Sequence, residues 1–502
     1  MPRPASRRAP TRPETERAAL SEHPLSDLID RCDLSLRREP AGFDPERLTD
    51  IQWRADTCTP GSILCFQRFD DGRSDTEILE RYLADSPFAA LFTNRVLDCF
   101  DRLRGKAVYV TAPGAWGPTL ERLCDHFLPR SPGDWQIAGV TGTNGKTTTV
   151  KYLEAMLLAE GRRVLGIGTL GLTLNGASAG GTGFTSPPYI ELRRILKRHR
   201  DDADTLVMEM SSHALDQGRV HGLRLAAAAW TNFSQDHLDY HHDEASYFAA
   251  KARILDLLGD GTPLLTTSPD LARRLNGHHG SAPVELVEPA APPAGVLRER
   301  PFLALEYNRA NLALAEGMAE RLLDRAPAEP WRALAPVDGR FETRVHGNRT
   351  LVVDFAHTPD ALDNVLGAIR HAFPEAGILT LFGCGGDRDR GKRPLMGAAA
   401  CRHSDHVILT SDNPRYEDPR AVIDDILPGT AGCRTPAEII VDRTVAIRRA
   451  FDHLATQPSD RPWVLLIAGK GHERYIDRQG RKSYYSDQDE VERNMARLGW
   501  VV

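Results

Sequence analysis

The chain has 502 residues, too many for one ordinary domain, and at about 100–200 residues per domain three are expected. Its composition, 41% hydrophobic, 26% charged and 7% aromatic, is that of a soluble globular protein, and 63 Lys and Arg against 69 Asp and Glu leave a net charge of -6. No basic excess exists to drive sequence-independent nucleic-acid binding, and no run reaches the roughly 18 apolar residues a membrane span needs.

Residues 1–20 are rich in arginine and proline without an apolar core, so they read as a disordered tail rather than a secretory signal peptide. The first domain is expected over residues 21–133. In it Ala107–Thr111 reads as a buried strand and Thr119–Phe127 as a short helix, before the turn-rich Pro129–Gly133. The eight cysteines, Cys32, Cys58, Cys65, Cys99, Cys124, Cys384, Cys401 and Cys433, form no Cys-x-x-Cys pair. Neither a disulfide framework nor a zinc site is expected, and a reducing cytoplasm fits best.

From Trp135 short apolar runs alternate with helical stretches, the pattern of a mostly parallel sheet wrapped by helices. The runs include Gln136–Val140, Thr205–Glu209 and Leu225–Ala229. A Pro/Ala-rich stretch, Val287–Gly295, reads as a surface loop. A helix over Asn311–Leu323 then leads to a linker at Pro327–Pro336, which closes a central domain of residues 134–332. A second alternation fills residues 333–502, with strands at Thr350–Asp354, Ile378–Phe382, His406–Thr410 and Trp463–Ile467.

The strongest local signal is Gly139-Val-Thr-Gly-Thr-Asn-Gly-Lys-Thr-Thr-Thr149. A strand runs into a glycine-rich turn and Gly145-Lys146-Thr147 opens a helix. Glycines let backbone N–H groups converge on phosphate oxygens at a helix N-terminus. Lys146 would reach the β- and γ-phosphates of ATP, and the Thr147 hydroxyl would ligate Mg²⁺. The spacing is a variant of the usual phosphate-loop pattern, and alone it does not separate a kinase, a motor, a GTPase or a ligase.

The loop, Thr-Gly-Thr-Asn-Gly-Lys-Thr-Thr, resembles that of the Mur ligase family. So do Glu209-Met-Ser-Ser-His-Ala-Leu215, Asp236-His-Leu-Asp-Tyr-His241, Ala249-Ala-Lys251 and Asp354-Phe-Ala-His-Thr-Pro359. The segments Gly383–Pro394, Asp412-Asn-Pro-Arg415 and Ala468-Gly-Lys-Gly-His-Glu473 continue the match in family order. The resemblance implies an α/β protein of three domains: a small α/β acceptor domain, a central P-loop mononucleotide-binding domain and a C-terminal Rossmann-like domain. It implies formation of an amide through an acyl phosphate, with ATP and two Mg²⁺ ions.

Carried over position by position, the nucleotide site takes Gly142, Thr143, Asn144, Gly145, Lys146, Thr147 and Thr148. Asn308, Asn311, Arg340, Asp354 and His357 join it, although Leu305 stands where the family has a glycine before the asparagines. Thr147, Glu209, His237 and Lys251 match the metal-contact positions, Lys251 as the lysine that reacts with CO₂ to give a carbamate. Lys146, Lys251, His237 and Arg340 are the expected catalytic set, with Arg340 placed against the transferring phosphoryl group.

Asp412-Asn-Pro-Arg415 is the form of the motif associated with meso-diaminopimelate, whose far carboxylate a planar guanidinium can clamp with two hydrogen bonds. Arg388 and Arg415 would supply positive charge, Asp412, Asn413 and Pro414 would join them in binding the amino acid, and Glu473 and the Gly469 carbonyl could take an ammonium group. Thr185, Ser186, Ser211, Gln217 and Arg219 match the positions that hold an alanyl-glutamate acceptor. The first domain departs from the family: Arg54-Ala-Asp56 replaces an Asp-Ser-Arg triplet, and Arg68-Phe69 replaces a His-Gln pair.

The leading expectation is a ligase adding meso-diaminopimelate to a UDP-muramoyl dipeptide. The alternative is the same chemistry on a non-UDP acceptor in a specialised-metabolite pathway. A non-catalytic scaffold conflicts with the joint presence of Lys146, Thr147, Glu209, His237 and Lys251. A transporter ATPase leaves the second α/β half without a role. The expected partners are small molecules, with neither nucleic acid nor membrane.

Overall fold

A computed structural model describes residues 24–69, 73–98, 100–128, 135–276, 283–458 and 460–500. The stretch read as a tail and the Pro129–Gly133 boundary lie outside the described residues.

The first sheet has β1 (Leu34–Arg38), β2 (Asp50–Gln52), β3 (Ser62–Phe66), β4 (Ala90–Thr93) and β5 (Ala107–Thr111), in the order β1-β5-β4-β3-β2. β2 to β5 pair in parallel and β1 is antiparallel to β5. Alternate residues of β3 point to opposite faces. Ile63 and Cys65 join Leu120 and Leu123 of the helix Trp116–Phe127, while Leu64 joins Ile78, Leu83 and Phe88. Both faces are covered, so the parallel strands are apolar almost throughout.

The central sheet comprises β6 (Gln136–Thr141), β7 (Val164–Gly168), β8 (Gly171–Leu174), β9 (Ala177–Gly180), β10 (Thr205–Glu209), β11 (Leu225–Trp230), β12 (Leu264–Thr266) and β13 (Val284–Leu286). Its order is β13-β12-β11-β6-β10-β7-β8-β9. The three strands expected here are β6, β10 and β11. An antiparallel extension, β7-β8-β9, was not expected. Its β8–β9 turn is Asn175-Gly176, both at positive φ, 50° and 83°, as a two-residue hairpin turn requires. The helix expected from Asn311 begins earlier, at Glu306, and packs on the helix Lys146–Ala159. Residues 287–293 are irregular, and the end of the expected loop already belongs to the helix Ala294–Glu299.

The third sheet has β14 (Glu342–His346), β15 (Arg349–Asp354), β16 (Gly377–Phe382), β17 (His406–Leu409), β18 (Glu438–Ile439) and β19 (Trp463–Ala468). The order is β14-β15-β19-β16-β17-β18, parallel except for β14. Val352, Ile378 and Leu466 pack under the helices Pro359–Ala372 and Lys392–His403. Leu351, Leu379 and Leu465 pack under Arg443–Thr456 and Asp487–Leu498. In register Asp354 lies beside Ala468, and Phe382 beside Leu409. The carboxyl ends of four strands are therefore level, and the loops that follow them emerge side by side. A hairpin of β20 (Tyr475–Arg478) and β21 (Arg481–Tyr484) follows.

The chain forms two compact units. One runs to Gly139 and takes in Gly161–Ala228 and Arg253–Leu264; the other holds Val140–Glu160, Ala229–Ala252 and everything from Leu265. One expectation is corrected. Cys401 and Cys433, 32 residues apart, are bonded as a disulfide with Cα atoms 4.5 Å apart. The end of the helix Lys392–His403 meets the turn after residues 427–432, a meeting that cysteine spacing does not reveal. Among the described residues no helix is long and apolar enough to cross a membrane.

Candidate active site

The loop after β6 is held both by its neighbours Thr231 and Asn232 and by its own Lys146. Gly142 and Gly145 have φ of 146° and 82°, and a Cβ at Gly142 would run into the Thr231 hydroxyl. That hydroxyl donates to the Asn144 carbonyl at 2.5 Å, and Asn232 brackets the same residue, accepting from its N–H at 2.9 Å and donating to its carbonyl at 3.1 Å. The Asn144 side chain donates to Thr358 at 3.3 Å and Asp360 at 3.1 Å, at the start of the helix Pro359–Ala372. Thr143 accepts from the Ser234 N–H at 3.0 Å. Lys146 donates to the carbonyls of Gly142 and Thr143 at 3.0 and 2.8 Å, which leaves its ammonium curled over the loop. Thr147 and Thr148 are buried in the first turn of the helix, and Arg340 reaches the Thr147 hydroxyl at 3.4 Å. The arrangement fits an anion cradled by backbone N–H groups and two cations.

Lys251 is 1% exposed, and its amine donates to the Gly142 carbonyl at 2.7 Å. Burial first, and then the charge of Lys146, hold its pKa well below that of an ordinary lysine, with Asp236 opposing. A neutral amine is the form that attacks CO₂, so the setting suits carbamate formation. His237 has φ of 55° and half-buried side-chain exposure of 36%. The preceding Asp236 is buried; it accepts from the His237 N–H at 2.9 Å and pairs with Lys392 at 3.3 Å. Burial works against its ionisation, but His237, Lys392 and His357 hold it well below the usual carboxylate range. Burial and Lys392 push His357 down to about 4, so it is neutral near pH 7. Asp354 accepts from the N–H groups of Phe341 and Ala356, both at 2.7 Å. Asn308 and Asn311 are buried on the helix Glu306–Leu323, bonded to the Phe302 carbonyl at 2.9 Å and to Thr149 at 3.3 Å.

In the other unit Glu209 ends β10, buried, and accepts from the N–H and hydroxyl of Thr169 at 2.8 and 3.2 Å. The Thr185 hydroxyl lies 3.1 Å from that of Thr169. Ser186 donates to the Glu209 carbonyl at 2.8 Å and accepts from the Ser211 N–H at 3.1 Å. Arg219 donates to the Ser186 carbonyl at 3.1 Å and to Gln217 at 2.9 Å. The five expected acceptor residues thus form one bonded group around Glu209. At the departing positions of the first domain, Arg54 pairs with Asp56, and Arg68 is buried with its N–H bonded to Asn94 at 2.7 Å.

The expected amino-acid residues sit on the loops after β16, β17 and β19, where parallel α/β sheets bind ligands. The loops touch closely: a Cβ at Gly385 would lie 2.8 Å from the Arg415 guanidinium, and one at Gly469 3.2 Å from the Asp412 carboxylate. Arg415 has φ of 50°. Its N–H donates to the Asp477 carbonyl at 3.0 Å, and its carbonyl accepts from Gln479 at 2.7 Å, so the β20–β21 hairpin fixes the turn. Its guanidinium donates to the Gly386 carbonyl at 2.6 Å. Arg388 lies 3.8 Å from Asp239; burial first and then the neighbouring Arg415 push its pKa down, with Asp239 opposing. Asp412 and Asn413 are buried, and Asn413 donates to Glu473 at 2.8 Å. Pro414 closes the turn, its carbonyl against Gly386.

Thr231, Asn232, Asp236, Lys392 and Lys470 were missed by sequence reasoning. For Asp236, Lys392 and Lys470 a signal existed, because each is a charge inside a quoted motif, Asp236 before His237 and the two lysines after a glycine.

Two family models match the chain: the Mur ligase middle domain over residues 140–287 and the Mur ligase glutamate ligase domain over residues 339–471. A UDP-N-acetylmuramoyl-L-alanyl-D-glutamate--2,6-diaminopimelate ligase of Alkalilimnicola ehrlichii is 39% identical over 406 residues, 74% of this chain and 80% of that protein. Its namesake from Synechococcus elongatus is 40% identical over 388 residues, 71% and 76% of the two chains. A solved structure of a ligase of the same name superposes with a TM-score of 0.52 at 26% identity, covering 90% of this chain and 96% of its own. With relatives this similar over three quarters of their length, and a cradle, a buried lysine and strand-end loops in the matched segments, the chain belongs to the Mur ligase family.

Proposed function

We propose that this ATP-dependent ligase joins meso-diaminopimelate to UDP-N-acetylmuramoyl-L-alanyl-D-glutamate in peptidoglycan synthesis. The observation that carries the amino-acid half is the placement of two guanidinium groups, Arg388 and Arg415, and two carboxylates, Asp412 and Glu473, on the neighbouring loops after β16, β17 and β19. One pole suits a carboxylate and the other an ammonium, as the far end of diaminopimelate demands. Relatives bearing that name support the acceptor, and the reading with a non-UDP acceptor is not favoured. On this reading residues 21–133 are the acceptor domain, 134–332 the ATP domain and 333–502 the amino-acid domain.

The acceptor carboxylate attacks the γ-phosphorus of ATP, ADP leaves, and the amine of the amino acid displaces phosphate from the acyl phosphate. Lys146 and Arg340 neutralise the phosphoryl oxygens, and the loop N–H groups orient the nucleotide. Lys251, as a neutral amine, adds to CO₂ and releases a proton, giving an anionic carbamate. Thr147, Glu209, His237 and that carbamate would hold Mg²⁺, which when bound offsets the crowding of phosphate and carboxylate charge. Thr185, Ser186, Ser211, Gln217 and Arg219 bind the alanyl-glutamate part.

The test is ADP release by the purified protein with ATP, Mg²⁺, meso-diaminopimelate and the UDP-muramoyl dipeptide, with product mass. Acceptor-dependent release together with the tripeptide mass is expected. Folded, ATP-binding protein that ignores this acceptor would overturn the reading.

A further inference from the structure

β19 is buried along its whole length and is followed by Gly469, whose φ of 112° turns the chain sharply. The next residue, Lys470, has no exposed side-chain surface. A lysine there must spend its three N–H donors inside the protein or carry a heavy desolvation cost. All three have partners. The amine lies 3.0 Å from an Asp412 carboxylate oxygen, 3.1 Å from the Asn413 side-chain oxygen and 3.4 Å from a Glu473 carboxylate oxygen. The Asn413 oxygen also accepts from the Asp477 N–H at 3.0 Å, and its amide donates to Glu473 at 2.8 Å. Tyr475 donates to the other Glu473 oxygen at 3.2 Å.

One cation thus joins three segments: the Asp412–Arg415 turn, the 469–473 loop and, through Asn413, the hairpin that fixes Arg415. Two carboxylates meet at this point, and a single buried amine offsets one of them. We infer that Lys470 is a positioning residue of the amino-acid site, pinning Asp412 and Asn413 to the 469–473 loop and sharing one positive charge between two carboxylates, so that a net negative charge remains at Glu473 for the incoming ammonium group. The inference rests on the amino-acid site proposed above. The charge states agree with it. Burial opposes ionisation of Asp412, but Lys470 and Arg443 bring its pKa below the ordinary value, while burial and Asp412 raise that of Glu473.

The experiment compares wild type with Lys470→Met in the full chain, varying meso-diaminopimelate and ATP separately across pH. Lys470→Met should raise the amino-acid KM about tenfold or more while the ATP KM stays within about threefold. The groups facing Glu473 are Lys470, Asp412, Asn413 and Tyr475. With Lys470 gone Glu473 takes up its proton at higher pH, so the acid limb of kcat/KM for the amino acid should move upward. Equal rises in both KM values with an unmoved limb would overturn the pin. If charge imbalance unfolds that variant, Lys470→Arg keeps the charge but cannot reproduce the three amine contacts with Asp412, Asn413 and Glu473. A raised amino-acid KM there with the ATP KM unchanged supports the pin, and wild-type values overturn it. Wild type that turns over diaminopimelate leaves only Lys470 on trial; wild type that ignores it overturns the functional reading and this inference together.

Discussion

Replacing Glu417 by Gln tests how the loop after β16 is held. Arg393, with no exposed side-chain surface, donates to both Glu417 oxygens at 2.7 and 3.0 Å and to Asp425 at 2.7 Å. Glu417 also accepts from the Asp387 N–H at 2.5 Å, next to Arg388. These bonds, Arg393 foremost and against a smaller burial effect, bring its pKa from 4.5 to about 2. A depression of that size corresponds to about 3 kcal/mol of stability. Because the folded pKa is the lower one, the contribution is complete above the unfolded value and fades as pH falls toward 2. About 1 kcal/mol should remain near pH 3. Gln keeps one acceptor but points N–H groups at a guanidinium, so Glu417→Gln should cost about 2–3 kcal/mol at neutral pH. The chain has two units and need not unfold in one step. Urea unfolding should therefore be followed by hydrogen exchange in peptides from residues 377–417. A difference under about 0.5 kcal/mol at neutral pH, or one equally large near pH 3, would refute the reasoning.

Arg415→Ala should raise the KM for diaminopimelate about tenfold or more and leave the ATP KM within about threefold; steady-state kinetics showing equal effects would remove the clamp. Lys251→Ala should lower turnover about a hundredfold or more, with partial recovery in added acetate, and CO₂-depleted buffer should slow wild type alone. Full activity of the variant would dispose of the carbamate. Gly142→Ala places a methyl against the Thr231 hydroxyl at a φ few side chains adopt. Nucleotide affinity, read by calorimetry, should fall about tenfold or more, and an unchanged value would show that the loop relaxes freely.

What could be read from the chain was mostly what lies close together in it. Thr205–Glu209 is a strand end to end, because five successive buried residues leave little choice. The phosphate loop was legible because its glycines, Lys146 and the helix it opens are consecutive. The β8–β9 hairpin was equally local, with Asn175-Gly176 as its turn, but short strands rich in glycine and alanine hid it. Lys470 and its partners Asp412 and Asn413 are 58 and 57 residues apart. Only the parallel register that levels β17 with β19 through β16 brings them together, and no periodicity encodes that. The Arg68 position shows the opposite failure. Its substitution was visible, yet a buried role with its N–H on Asn94 follows from the fold of residues 68–94, not from the motif it replaces.

The order of the third sheet also bears on how the protein is made. β15 and β16 follow each other in the chain with one helix between them, yet they are not neighbours: β19 lies between them and pairs with both. A nascent chain that has emerged only as far as β18 has an apolar slot where Trp463–Ala468 belongs, flanked by two strands with unpaired edges. Such edges invite pairing with other chains. The last strand to arrive also carries Gly469, Lys470 and Glu473 at its end. Closing that gap and completing the proposed amino-acid site are therefore one event on the ribosome-bound or refolding chain, and a product cut short before residue 463 would have neither.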